Sequence, residues 1–79
     1  MKFCKKRKHE YKSTSGTSTT CDYILLDDVI DFHGDDFAKK WQEFIKLKPR
    51  TFIHGQECYF YADYEFAARQ TQCYLNPDN

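Results

Sequence analysis

The stretch Tyr23–Gly34, YILLDDVIDFHG, decides the fold, because it can be read as a helix or as a strand. At 100° per residue, Tyr23, Leu25, Leu26, Val29, Ile30 and Phe32 gather on one broad arc, and Asp27, Asp28 and Asp31 fall on the other. Ile24 interrupts the acidic side. Strict alternation fails, so helix is preferred, although the Ile and Val content also suits a strand. Upstream, Thr19 and Asp22 have the spacing of a capping box with Asp in place of Glu, and Gly34 supplies a stop. The expectation is an amphipathic helix with a carboxylate-lined ridge in water.

A second helix follows. Asp35 or Asp36 is placed to cap it, and Phe37, Trp41, Phe44 and Ile45 form its buried stripe. Lys46 and Lys48 complement its C-terminal end, and Pro49 forbids continuation. Beyond Pro49 the texture changes to RTFIHGQECYFYAD, where β-rich runs flank Gly55 and Gln56 and predict a hairpin. In a strand, Tyr59 and Tyr61 share one face and Cys58 and Phe60 the other. Asp63 is placed to cap a last helix from Tyr64 to about Gln72, gathering Tyr64, Ala67, Ala68, Thr71 and Leu75. Phe66 lies off that face, which leaves a third strand as the alternative. The tail Asn76–Asn79 reads as a frayed end.

Upstream of the deciding stretch, residues 13–20 are small and polar with one glycine, and read as a linker. They separate a basic N-terminal arm or edge strand, residues 1–12, from a single small globular domain, residues 21–79. The fold class is therefore α+β: two consecutive amphipathic helices, a β-hairpin, and a C-terminal helix or third strand. Seventy-nine residues allow one small core, and seven Phe, six Tyr and one Trp make it a core of few, large side chains. A homodimer is one way to complete so small a core.

Twelve basic and twelve acidic residues cancel overall but not locally. Lys2, Lys5, Lys6, Arg7, Lys8 and Lys12 face only Glu10 within the first twelve residues. Asp22, Asp27, Asp28, Asp31, Asp35 and Asp36 follow with no Lys or Arg among them. No apolar run reaches the roughly 18 residues of a membrane span, and no signal-peptide core follows the basic start. The expectation is a soluble, cytoplasmic protein without membrane contact, in which Cys4, Cys21, Cys58 and Cys73 remain thiols.

The motif Asp27-Asp28-Val29-Ile30-Asp31 resembles the aspartate-rich diphosphate-binding box of isoprenyl diphosphate synthases, in which carboxylates hold magnesium against a pyrophosphate. The likeness spans seven residues, Leu25–Asp31. Those synthases are large helical enzymes with a second such box, which this chain lacks, and a core this small cannot enclose a prenyl chain. The aspartates are therefore read as a solvated helix face. Zinc is the alternative for Cys4, His9, Cys21, His33, His54, Cys58 and Cys73, with Cys4/His9 and His54/Cys58 loosely spaced; no CxxC or CxxH pair occurs. No orienting group or pocket is legible around His54 and Cys58 as a catalytic pair. No catalytic residue, metal ligand or cofactor is assigned, and an enzyme is not expected.

What remains is binding. Closely spaced carboxylates can imitate a row of phosphates and occupy the basic groove of a nucleic-acid-handling protein. The leading expectation is a non-catalytic regulator or inhibitor docking through Asp27, Asp28, Asp31 and Asp35, with Tyr59, Tyr61 and Tyr64 as aromatic anchors. Small phage and mobile-element proteins share this size and lack of catalytic motifs. The alternative is direct binding of RNA or single-stranded DNA through Lys5, Lys6, Arg7 and Lys8, with Phe3 and Tyr11 stacking on bases.

Overall fold

The computed structural model describes residues 2–77, so Asp78 and Asn79 of the expected frayed tail lie outside the described residues. The elements are β1 (Arg7–Lys12), β2 (Ser18–Ile24), α1 (Leu26–His33), α2 (Asp35–Ile45), β3 (Arg50–Ile53), β4 (Gln56–Phe60) and α3 (Tyr61–Leu75). The four strands form one antiparallel sheet in the order β1-β2-β4-β3, giving a small α+β domain.

The deciding stretch is both strand and helix. Tyr23 and Ile24 end β2, opposite Phe60 and Tyr59 of β4, and the helix begins only at Leu26. The expected cap is overturned with it: Thr19 and Asp22 lie in β2, where β-branched neighbours and cross-strand pairing outweigh a local capping spacing. Asp28, at the third helical position, accepts the Leu25 N–H at 3.2 Å instead. Val29 is fully buried, with Leu26 and Ile30 packed partly against the core; Phe32 is half exposed.

Gly34 joins α1 to α2. Its φ of 93° turns the chain, its N–H donates to the Ile30 carbonyl at 2.8 Å, and its carbonyl accepts the Ala38 N–H at 3.0 Å. Gly34 therefore occupies the N-cap position expected of Asp35 or Asp36, which sit in the first turn of α2 and favour its dipole. Phe37, Trp41 and Ile45 are buried along α2 as expected, joined by Ala38, and Phe44 is half-buried.

The two hairpins differ in their turns. β3 and β4 are joined by His54 and Gly55, both at positive φ, which is the type I′ geometry matched to strand twist; the turn lies one residue before the expected Gly55–Gln56. β1 and β2 are joined through Ser13–Thr17, closed by Ser13 N–H to Thr17 O at 2.9 Å with Gly16 at φ 87°. The polar stretch 13–20 is thus turn and strand rather than a tether, and Arg7–Lys12 of the basic segment forms an edge strand of the sheet.

The core lies on one face of the sheet, where Ile24 and Tyr59 meet the three helices around the fully buried Trp41. Trp41 packs edge-on to Tyr59 at 5.0 Å and donates its ring N–H to the Tyr64 carbonyl at 3.3 Å. α3 starts directly after β4, three residues before the expected start, and buries Tyr64, Ala67, Ala68 and Thr71 together as its period dictates. Among the described residues, no helix is long and apolar enough to cross a membrane.

Candidate functional site

The two charged groups legible in the sequence meet in space. The chain before β1 is pinned to the core: the Cys4 N–H donates to the Tyr64 hydroxyl at 2.8 Å, the Tyr61 hydroxyl donates to the Cys4 carbonyl, and the Cys4 thiol donates to the Asp28 carbonyl at 3.5 Å. Lys5, Lys6 and Arg7 are thereby carried past α1. A cleft of about 510 Å³ opens there, with Lys5, Lys6 and Arg7 on one side and Asp28, Asp31 and Phe32 on the other.

Arg7 closes on Asp28 through both Nε, at 2.6 Å, and Nη2, at 2.9 Å. The guanidinium, opposed by partial desolvation, holds the Asp28 carboxyl below the usual carboxylate range, helped by the Leu25 N–H. Lys6 lies 3.6 Å from Asp22. The acidic ridge and the basic segment therefore neutralise each other in part. Asp27, Asp31, Asp35 and Asp36 stay exposed and form no ion pair among the described residues; neither do Lys2, Lys5, Lys8 and Lys12.

The expected aromatic anchors fare differently. Tyr59 and Tyr64 are buried, so they cannot meet a partner as expected. The cause is the change of period at Phe60: Tyr59 points from the sheet toward Trp41, and the helix that begins at Tyr61 turns Tyr64 into the same core. Tyr61 alone of the three is half-buried. The exposed aromatic rings are Tyr11, Phe32, Phe52, Phe66 and Tyr74. Phe66 was legible as lying off the inner face of α3, but nothing local distinguished Tyr74, which lies under the Lys40 ammonium at 3.8 Å.

The candidate zinc ligands are dispersed. Cys4 is in the core, Cys73 is exposed on α3, and His33 bonds Tyr64. His54 stands edge-on to His9 at 5.2 Å, while the Cys58 thiol donates to the Gln56 carbonyl at 3.2 Å. Among the described residues, no three His, Cys, Asp or Glu side chains form a group able to hold a metal. All four cysteines are free thiols, and burial raises the pKa of Cys4 and Cys58. The chain matches no family model, and comparison with curated proteins and with solved structures returns no match.

Proposed function

We propose that the protein is a non-catalytic, cytoplasmic binding protein that docks on a basic macromolecular partner through the ridge formed by α1 and the start of α2. One observation carries this reading: Asp27, Asp31, Asp35 and Asp36 are exposed and unpaired among the described residues, beside a phenylalanine, Phe32, that is 50% exposed. Asp27 and Asp31 occupy adjoining turns of α1, and Asp35 and Asp36 begin α2 one residue after it ends. Carboxylates with an apolar ring among them suit a basic groove that has an apolar floor. Asp28 belongs to the fold and not to the docking set, because Arg7 and the Leu25 N–H occupy it.

The test is affinity capture from the native host, with and without nuclease, using the wild type and an Asp27→Lys/Asp31→Lys variant whose circular dichroism is unchanged. A nuclease-resistant protein captured by the wild type and lost with the variant supports the reading. An unchanged capture profile removes it.

A second reading rests on the cleft itself. Lys5, unpaired among the described residues, and Lys6 face Phe32 across it, an arrangement able to hold a phosphate beside a stacked base. Direct binding of single-stranded nucleic acid through Lys5, Lys6 and Lys8 requires affinity for a random oligonucleotide to fall about tenfold or more between low and physiological salt. Absence of any shift at low salt ends that reading.

A further inference from the structure

Five of the seven residues of β2, Ser18–Asp22, pair only with β1, because β4 reaches β2 at Tyr23 and Ile24 alone. The β1–β2 ribbon therefore overhangs the helix-covered part of the sheet, and residues 10–20 are exposed on both of its faces. A two-stranded ribbon wet on both sides is marginal in water; further strands are what stabilise it. Beside β2 the room is limited, since β4 runs from Phe60, opposite Tyr23, straight into α3, which packs against β2, so the exposed stretch there is only Ser18–Thr20 against the six residues of β1. Among the described residues, the outer side of β1 carries no strand.

We propose that this edge is a self-recognition surface: β1 pairs antiparallel with β1 of a second copy about a twofold axis at His9, making one continuous sheet across the dimer. Charge selects the occupant and the register. A twofold axis normal to an antiparallel pair sets one residue opposite its own copy and exchanges its neighbours. Centred on His9, Lys8 faces the partner's Glu10 and Glu10 faces the partner's Lys8, while Arg7 and the exposed Tyr11 face each other's copies. Centred on Lys8 or on Glu10, like charges oppose directly, and centred on Tyr11 only the last three strand residues overlap strand. Lys6 falls opposite the partner's Lys12 at the margin, where Asp22, 3.6 Å from Lys6, already offsets its charge. Lysines on an edge ordinarily discourage pairing. Here Glu10, between Lys8 and Lys12, makes the Lys8- and Glu10-centred registers repulsive, and of the two registers that pair it with a lysine, centred on His9 and on Tyr11, the His9 one overlaps more of the strand.

Sedimentation equilibrium of the full chain from about 1 µM to about 1 mM, the range of weak specific complexes, reads the association. The wild type is expected to dimerise within it. Glu10→Lys places Lys8 against the partner's new lysine, and Lys8→Glu places Glu10 against the partner's new glutamate. Each variant alone is expected to weaken the dimer about tenfold or more, whereas an equimolar mixture restores opposite charges in both pairs and recovers wild-type affinity. Recovery in the mixture separates the interface from a folding defect, which mixing cannot repair. A wild type that stays monomeric throughout, variants that dimerise as tightly as the wild type, or a mixture that behaves like its components would each overturn the proposal.

Discussion

His33 is held neutral by what surrounds it. Phe37 stacks on the ring at 4.0 Å, and the Tyr64 hydroxyl lies 2.8 Å from Nε2. That hydroxyl also accepts the Cys4 N–H, so it ties the His33 ring to the chain before β1. Burial lowers the His33 pKa from its ordinary 6.5. Because the unfolded chain takes up this proton first, stability is full above pH 6.5 and is lost as pH falls from there through the lower native value. Urea unfolding followed from pH 7.5 downward is expected to show that slope, and His33→Gln, which keeps a hydrogen-bonding group for Tyr64, is expected to flatten it. Asp28 acts lower on the pH axis. Its carboxyl is held below 3.8 by Arg7, so its contribution is present above 3.8 and disappears as pH falls through the native value. Since Arg7 is half exposed, Arg7→Ala is expected to cost only about 1 kcal/mol, and a double-mutant cycle with Asp28→Asn to assign about 0.5–1 kcal/mol of it to the pair.

Among the elements, α2 holds the fold together through Trp41. Its side chain is fully buried against Tyr59 and Tyr64, so Trp41→Ala is expected to cost about 3–5 kcal/mol, enough to unfold most of a domain of this size as followed by near-ultraviolet circular dichroism. The β3–β4 turn offers a smaller test. Gly55 has open space around it but a φ of 77°, so Gly55→Ala is expected to lose about 1 kcal/mol through backbone strain alone, read as a lower thermal midpoint. These two elements were also the legible ones. The stripe Phe37, Trp41, Phe44, Ile45 and the β-rich runs around a glycine need only local periodicity and turn chemistry. The start of α1 was not legible, because Tyr23 satisfies the inner face of a helix and the end of a strand equally well, and Ile24 on the acidic side was only a slight local sign against the helix. What chose between them is a pairing with Tyr59 and Phe60, more than thirty residues away in sequence. The acidic ridge was legible for the same local reason as α2, whereas the loss of Asp28 to Arg7 and of Tyr64 to the core depended on how distant segments came together.

Taken as one body, the molecule is elongated, about 50 × 22 × 21 Å, with its buried residues gathered under three helices and a ribbon extending beyond them. Its charge follows that division: exposed carboxylates cluster on α1 and α2, and unpaired lysines lie on the N-terminal segment and β1. Such a shape should not open as a single unit. Ile24 is fully buried between β4 and the helices and is expected to exchange its amide only with global unfolding. The rungs from Glu10↔Thr20 to Lys12↔Ser18 have no apolar cover on either face, so a dilute sample should open them locally. Hydrogen exchange at micromolar concentration is therefore expected to give strand amides among residues 10–12 and 18–20 protection at least about 30-fold below that of Ile24, a gap of about 2 kcal/mol. Equal protection at high dilution would mean that the ribbon is stabilised by the core after all, and that it does not need a neighbouring strand. Protection that rises with protein concentration, and rises in β1 before it does in β3, would instead locate the missing strand on the outer side of β1.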